Sequence, residues 1–386
     1  MITEDILFSL LRREITGAQV SDGIIELCTK ENLENVFLLA KSHSVAHLAA
    51  DAVESLGLAD SDSELYKKFA GIKKQTVFMY LKQNVAYEQL TAALTEAGIP
   101  FIPLKGAVIR KLYPEQWMRN SCDIDVLVHS EDTERAAEVL MSRLGYESNF
   151  FGKHDISFIT PDRQHVELHF SLLDEDSFPR ADAILGDVWE YARESGDERG
   201  ELELSDELFY FYHIVHMAKH LKGGGCGIRP FIDLWLLNRR VEFDSAKRRQ
   251  LLEKGGLLTF ADAAERISEY WMNLTPLDSE RYADSVLKDY VLRGGVYGSD
   301  SNKQAVDSFD LPMQTGGLIK KLWKPYAQLK YWYPHLNGRR YLLPFYEVKR
   351  WILLIQNTVG SSFRSKRTRT APCVPVDTML KELELR

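Results

Sequence analysis

The stretch FIPLKGAVIRKLYPEQWMRNSCDIDVLVH, residues 101–129, decides the fold. Its first four residues, FIPL, predict a short apolar strand. Lys105-Gly106 predicts a turn that ends this strand, and a short helix follows over residues 107–113. After a loop, residues 123–129 alternate polar and apolar side chains and then become fully apolar, which is typical of a strand entering a buried sheet. The stretch therefore predicts a strand, a helix and a second strand in that order.

The residues that follow extend the same pattern. Ser130 is the expected cap of a helix over residues 131–144, which Gly145 ends. Two runs of β character, DISFIT at 155–160 and HVELHF at 165–170, are joined by the turn PDRQ and predict a hairpin. This order predicts an α+β fold, in which helices cover one side of a small mixed β-sheet.

The segments on both sides of this core are predicted to be helical. Between Glu4 and about Thr95, apolar residues recur at intervals of three and four. A helix over residues 82–97 is expected to end at Gly98, because glycine supplies a left-handed cap and Pro100 prevents the helix from resuming. The helical period returns from about Leu208.

These changes of pattern divide the chain into four expected units. They are a helical N-terminal region (1–95), an α/β core (96–200), a helical domain closing a cleft (201–318) and a basic, aromatic-rich C-terminal region (319–386).

Composition points to a folded protein of the cytoplasm. Hydrophobic residues make up 45% and charged residues 27% of the chain, which is ordinary for a globular protein. The four cysteines form no CxxC pair, so neither a zinc knuckle nor a disulfide framework is expected. The N-terminus lacks the layout of a secretory signal, and apolar runs such as WILLI at 351–355 are far too short to cross a bilayer, so no integral membrane protein is expected.

Charge is strongly segregated along the chain. Residues 320–386 hold 14 Lys and Arg but only 4 Asp and Glu, whereas the whole chain has a net charge of −8. Together with its tryptophans and tyrosines, this end predicts either a docking surface for an anionic partner, such as nucleic acid or an anionic membrane, or a segment that packs on the acidic body. The helical spacing of the aromatic residues favours packing.

Three carboxylates are the candidates for chemistry. Asp123 and Asp125 are two apart on a predicted strand, so both side chains project from one face with Cα atoms roughly 6.5–7 Å apart. Glu167 alternates with apolar residues on a later strand, and adjacent strands would bring the three acids to one rim. Such crowding of like charges indicates a hard divalent cation. His165 and His169 share the face of Glu167 and are expected to support the ligands.

The runs LKGAVIRKLYPEQWMRNSCDIDVLV (104–128) and HVELH (165–169) resemble the uncharacterised nucleotidyltransferase family of the polymerase β-like superfamily. The resemblance extends through HMAKH (216–220) and GIRPFIDL (227–234). It implies a metal-dependent nucleotidyltransferase that uses Mg²⁺ or Mn²⁺ and a nucleoside triphosphate, with ATP as the superfamily default. The acceptor is a hydroxyl of an unspecified small molecule or protein.

The resemblance also implies roles for individual residues. The catalytic metal ligands are Asp123, Asp125 and Glu167; the nucleotide-binding residues are Lys105, Gly106, Arg119, Lys219 and Arg229; and Asp233 supports them. The chain departs from the superfamily at the triphosphate turn. Many members have Gly-Ser there, whereas this chain has Lys-Gly-Ala, so the lysine would replace the serine contact.

Other interpretations stay open at this point. His216 and His220 are four apart on a helix and share one face, and a structural role is favoured over a metal site because no zinc-protease glutamate accompanies them. The first alternative function is a non-catalytic module of the same fold that binds a nucleotide or a partner. The second gives the main role to the basic C-terminal region as a docking surface.

Overall fold

The computed structural model describes residues 2–152, 154–172, 178–195, 200–278, 280–296, 298–299, 302, 339–349, 351 and 374–386. Most of the basic C-terminal region predicted from the sequence, including its aromatic-rich part at 319–338, lies outside the described residues. Among the helices that the structure describes, none combines the length and the apolar character needed to span a bilayer.

The α-helices whose bounds lie within the described residues are labelled α1 to α14. They are α1 (Ile2–Thr16), α2 (Asp22–Leu27), α3 (Lys30–Ser42), α4 (Ala46–Ser55), α5 (Glu64–Glu96), α6 (Gly106–Ile109), α7 (Thr133–Leu144), α8 (Pro179–Gly186), α9 (Asp206–Lys222), α10 (Arg229–Arg240), α11 (Ser245–Gly255), α12 (Leu258–Asn273), α13 (Tyr282–Gly294) and α14 (Val374–Glu382). The strands are β1 (Phe101–Pro103), β2 (Asp123–Val128), β3 (Glu147–Phe151), β4 (Asp155–Ile159), β5 (His165–His169), β6 (Ala192–Glu194) and β7 (Leu202–Leu204).

The main sheet is mixed and has the strand order β1-β2-β5-β4-β3. Its one parallel pair is β2 with β5; the other neighbours are antiparallel. The predicted hairpin is present as β4 and β5. The edge strand β3 was not predicted, because its sequence ESNFF is largely exposed and carries no alternation of apolar side chains. The α+β class predicted from the sequence is confirmed.

The two faces of the sheet have different surroundings. On one face, Ile124, Val126 and Leu168 belong to a core shared with α5 and α7. On the other face, Leu127 joins a larger core formed mainly by the helices. Residues of β2 and β5 that alternate with this buried set therefore point toward the helices that follow the sheet in the chain.

Helix α5 is much longer than the predicted segment 82–97. It begins at Glu64, where the Ser63 side chain accepts a hydrogen bond from the Tyr66 amide. Its buried residues change partners along its length: Phe69 lies in the helical core and Leu90 in the core of the sheet. The first half of α5 lies in the stretch from Glu4 to about Thr95 that was predicted to be helical, and the structure joins it to the segment 82–97 in one helix.

The turns that end two helices follow the predictions. Gly98 and Gly145 have φ values of 62° and 65°, in the left-handed region that favours glycine. The start of α7 differs from the prediction, since a 3₁₀ turn over Ser130–Asp132 precedes it and Ser130 makes no side-chain cap. Helices α9 and α10, which were predicted from the returning helical period, lie on either side of the glycine run at 223–227.

Candidate active site

A cleft of about 390 Å³ lies between the sheet and the helices α9 and α10. The sheet contributes Asp123, Asp125 and Glu167 to one wall, and the helices contribute the other. Side chains alternate between the two faces of β2 and β5, so these carboxylates point into the cleft while their neighbours pack in the core on the other face of the sheet.

Asp125 and Glu167 form the centre of the carboxylate wall. They are direct neighbours in the parallel pairing of β2 with β5. With His169 they offer one ligand atom each, all within 4.8 Å of one another, and in the described part of the chain no other His, Cys, Asp or Glu residues form such a group of three or more. The two carboxylates supply the oxygen donors that a hard divalent cation prefers. Glu167 was predicted to lie close to both aspartates of β2, and in the structure it lies beside Asp125.

His169 holds the two carboxylates in place. Its Nε2 lies 3.0 Å from Asp125 Oδ1 and 3.4 Å from Glu167 Oε2. Burial opposes protonation of the ring, but the hydrogen bonds to both acids outweigh it and raise the pKa of His169. The contact places His169 beside two of the predicted metal ligands, and its supporting role stays a prediction.

Lys105 neutralises the same carboxylates. Its Nζ donates to Asp125 Oδ1 at 2.7 Å and lies 3.9 Å from Glu167 Oε2. Burial raises the cost of ionising Asp125, yet the Lys105 ammonium and the His169 hydrogen bond together hold the pKa of Asp125 well below its ordinary value. Lys105 also has a strained backbone with φ 44° and ψ −113°, a conformation that is uncommon outside glycine.

Asp123 lies in the cleft beside this centre. It pairs with His165 in the register of β2 and β5, two residues before the pair of Asp125 and Glu167, and it is not part of the group within 4.8 Å. Burial and the neighbouring Asp125 raise the pKa of Asp123 to about 6. His165 itself is exposed at the start of β5.

The turn at Lys105-Gly106 packs closely on the loop before β2. A Cβ at Gly106 would lie 3.2 Å from Ser121 Cβ, so the absence of a side chain permits this approach. Arg110 braces the turn: its Nε donates to the Gly106 carbonyl at 2.9 Å, and its Nη2 donates to Ser121 Oγ at 3.1 Å. The loop and the turn are thus held as one unit beside Asp123.

Arg119 and Asp233 form a buried ion pair. Arg119 donates from Nε and Nη2 to the Asp233 carboxylate, at 2.9 Å in the shortest contact, and Tyr113 Oη donates to Asp233 at 2.7 Å. Asp233 is fully buried. The pair joins the loop before β2 to α10, so both residues predicted for the site line the cleft while contacting each other.

Lys219 and Arg229 lie on the helical wall. Arg229 Nη1 donates to the carbonyl and side-chain oxygens of Asn120 at 2.9 and 3.0 Å, which ties α10 to the loop before β2. Burial lowers the pKa of Arg229, helped by the nearby charge of Arg119. Lys219 lines the same cleft from α9.

The sequence interpretation gave little weight to three further residues on this wall. Tyr212, His216 and His220 recur every four residues along α9 and all line the cleft. Burial lowers the pKa of His216, and the charge of Lys105 lowers it further. The pattern of polar rings at positions i, i+4 and i+8 was the signal that could have identified Tyr212.

A larger cavity of about 540 Å³ lies elsewhere, between α1 and α12. Phe8, Trp235 and Trp271 contribute to its mostly apolar lining, and the carboxylate and histidine group of the sheet is not part of it. The smaller cleft is therefore the better candidate for chemistry, since it combines enclosed space with convergent polar groups.

The model of a family described as "Uncharacterised nucleotidyltransferase" matches residues 29–273, which is more than half of the chain and includes both walls of the cleft. No curated protein and no solved structure matches the chain.

Proposed function

Since this chain belongs to the uncharacterised nucleotidyltransferase family, we propose that its cleft transfers a nucleoside monophosphate from a nucleoside triphosphate to an acceptor hydroxyl, with Mg²⁺ or Mn²⁺ as cofactor. The observation that carries the proposal is the side-by-side placement of Asp125 and Glu167 with His169 in an enclosed cleft. ATP is the donor expected from the superfamily, and the acceptor is a small molecule or a protein side chain.

The carboxylates Asp123, Asp125 and Glu167 would hold the cation. A bound Mg²⁺ or Mn²⁺ supplies Lewis-acid stabilisation of charge on the phosphate oxygens. Lys105, whose ammonium already lies at the carboxylates, is suited to contact the triphosphate that such a cation carries. Lys219 and Arg229 face the same space from the helices and provide further positive charge for the phosphates.

Glu167 is the best candidate for the general base. In the transfer, the acceptor oxygen forms a bond to the α-phosphorus, the bond from that phosphorus to the bridging oxygen breaks, and pyrophosphate leaves with its electron pair. The hydroxyl proton passes to a carboxylate. Asp125 is almost fully buried and has the closer contacts with Lys105 and His169, whereas the Glu167 side chain lies farther from both and is 32% exposed. Glu167 therefore has more room to accept the proton.

The test separates binding from transfer. Calorimetry with Mn²⁺ and a non-hydrolysable triphosphate measures binding without any acceptor, and α-labelled triphosphates incubated with cell-extract metabolites and proteins measure transfer. We expect Asp125→Asn to lose both, and the matched surface variant Asp162→Asn to keep both. If the wild type binds the nucleotide but gives no labelled product with ATP, GTP, CTP or UTP, the non-catalytic module is favoured. Absence of nucleotide binding would overturn both.

The basic C-terminal region supports a second candidate function, as a docking surface for nucleic acid or an anionic membrane. Its 14 Lys and Arg in residues 320–386 are the supporting observation. Wild-type protein and a variant lacking residues 319–373, which keeps the buried helix α14, can be compared for binding to RNA and to phosphatidylserine vesicles. Binding that falls steeply with salt and is lost in the variant would support docking. Equal binding by both proteins would refute it.

A further inference from the structure

The imidazoles of His216 and His220 face each other on the helical wall of the cleft. Their Nε2 atoms are 3.1 Å apart, while the ring centroids are 4.3 Å apart. The two Nε2 atoms are therefore closer to each other than the ring centres are, and both nitrogens can approach one bound ion.

This separation suits two ligands of one metal ion. Imidazole nitrogens bind Zn²⁺ at roughly 2.0–2.1 Å, and two nitrogens at that distance and 3.1 Å apart subtend about 100° at the ion. Such an angle lies between the values for octahedral and tetrahedral coordination. Neutral imidazoles select ions such as Zn²⁺, Co²⁺, Ni²⁺ and Cu²⁺ over Mg²⁺, which prefers oxygen.

We propose that His216 and His220 form a second divalent-metal site, specific for imidazole-binding transition metals and separate from the carboxylate centre at Asp125 and Glu167. The rings are adjacent on α9, one turn apart, so the helix fixes their spacing without help from any other element. The site has two protein ligands, which leaves the remaining coordination positions of the ion for water or for oxygens of a molecule bound in the cleft.

The competing explanation is a hydrogen bond between two neutral imidazoles. A distance of 3.1 Å fits an N–H···N bond as well, with one ring as donor and the other as acceptor. A cation that binds both nitrogens replaces that proton. Metal affinity, measured without nucleotide, distinguishes the two explanations and does not depend on the proposed transferase activity.

The experiment titrates tag-free, EDTA-treated, full-length protein with Co²⁺ in excess Mg²⁺, and follows the visible absorption of cobalt bound to nitrogen together with calorimetric stoichiometry. We expect His216→Asn and His220→Asn each to remove one equivalent of Co²⁺ or to weaken it more than about tenfold. His220 is exposed, so its replacement is the safer variant for folding, which circular dichroism checks.

Two control variants complete the design. His165→Asn changes an exposed histidine outside the pair and should leave this equivalent intact. Asp125→Asn disrupts the carboxylate centre and should also leave it intact. Unchanged cobalt binding in both α9 variants would show that the pair is only a hydrogen bond. Loss of the same equivalent in Asp125→Asn would assign that ion to the carboxylate centre and overturn the proposal.

Discussion

Lys105 Nζ lies 2.7 Å from Asp125 Oδ1, at the point where the proposed cation would need the same carboxylate. The ammonium compensates the negative charge of Asp125 and Glu167 in the protein without metal. A divalent ion must share these oxygens with the lysine or displace it. Lys105 therefore couples the stability of the metal-free protein to its affinity for metal.

Replacing Lys105 with methionine tests this coupling. We expect Lys105→Met to lower the free energy of unfolding of the metal-free protein by about 2 kcal/mol, because the almost fully buried Asp125 carboxylate loses its cation. Saturating Mn²⁺ should recover most of this loss. Thermal unfolding with and without Mn²⁺ is the measurement. A variant as stable as the wild type without metal would show that the lysine has no compensating role.

Glu167 is expected to act in the transfer step rather than in folding. Glu167→Gln keeps the size of the side chain but removes the base and one anionic ligand, so the rate of labelled nucleotide transfer should fall about 100-fold or more. The matched variant Glu147→Gln changes an exposed glutamate on the edge strand β3 and should keep the wild-type rate. Equal rates for the two variants would remove Glu167 from the mechanism.

The buried pair of Arg119 and Asp233 should be important for stability. The side chains are 8% and 0% exposed, so Asp233→Asn leaves an uncompensated guanidinium in the interior and should cost about 3–5 kcal/mol. The exposed pair of Arg239 with Glu269 is the control, since Arg239→Met should cost less than about 1 kcal/mol. Urea unfolding of both variants provides the comparison. Similar losses would mean that burial does not strengthen the inner pair.

Acid pH should destabilise the protein through His47. Burial lowers the pKa of His47 to about 4, although its hydrogen bond to the Met118 carbonyl opposes the shift. The unfolded chain has the ordinary pKa of 6.5 and binds the proton first as pH falls. The contribution of neutral His47 to the free energy of unfolding is thus fully present above pH 6.5. It falls by about 3 kcal/mol as the pH is lowered from 6.5 to 4.

The variant His47→Gln isolates this contribution. Its free energy of unfolding should change less between pH 6.5 and 4 than that of the wild type, while the exposed-site control His165→Gln should follow the wild type. The buried His43, whose pKa is also lowered to about 4, titrates in all three proteins and cancels in the comparison. Parallel curves for wild type and His47→Gln would contradict the assignment.

The amino-acid sequence by itself determined most local elements of the core. Alternation in DIDVLV and HVELH is a property of each strand alone, and the glycines at 98 and 145 stop helices for local steric reasons. These signals extend over a few residues, so they can be read without knowing the neighbours. The strand β3 was not predicted, because its largely exposed sequence carries no alternation of apolar side chains.

The tertiary structure alone decided how the candidate residues meet. Parallel pairing sets Asp125, and not Asp123, beside Glu167, and a shift of one residue in that register would have turned the glutamate to the opposite face. The partnership of Arg119 with Asp233 joins residues 114 apart in the chain. Contacts of this kind arise from the packing of whole helices and strands, so a local sequence pattern cannot predict them. They determine which charged groups are neighbours in the cleft and therefore the pKa values there.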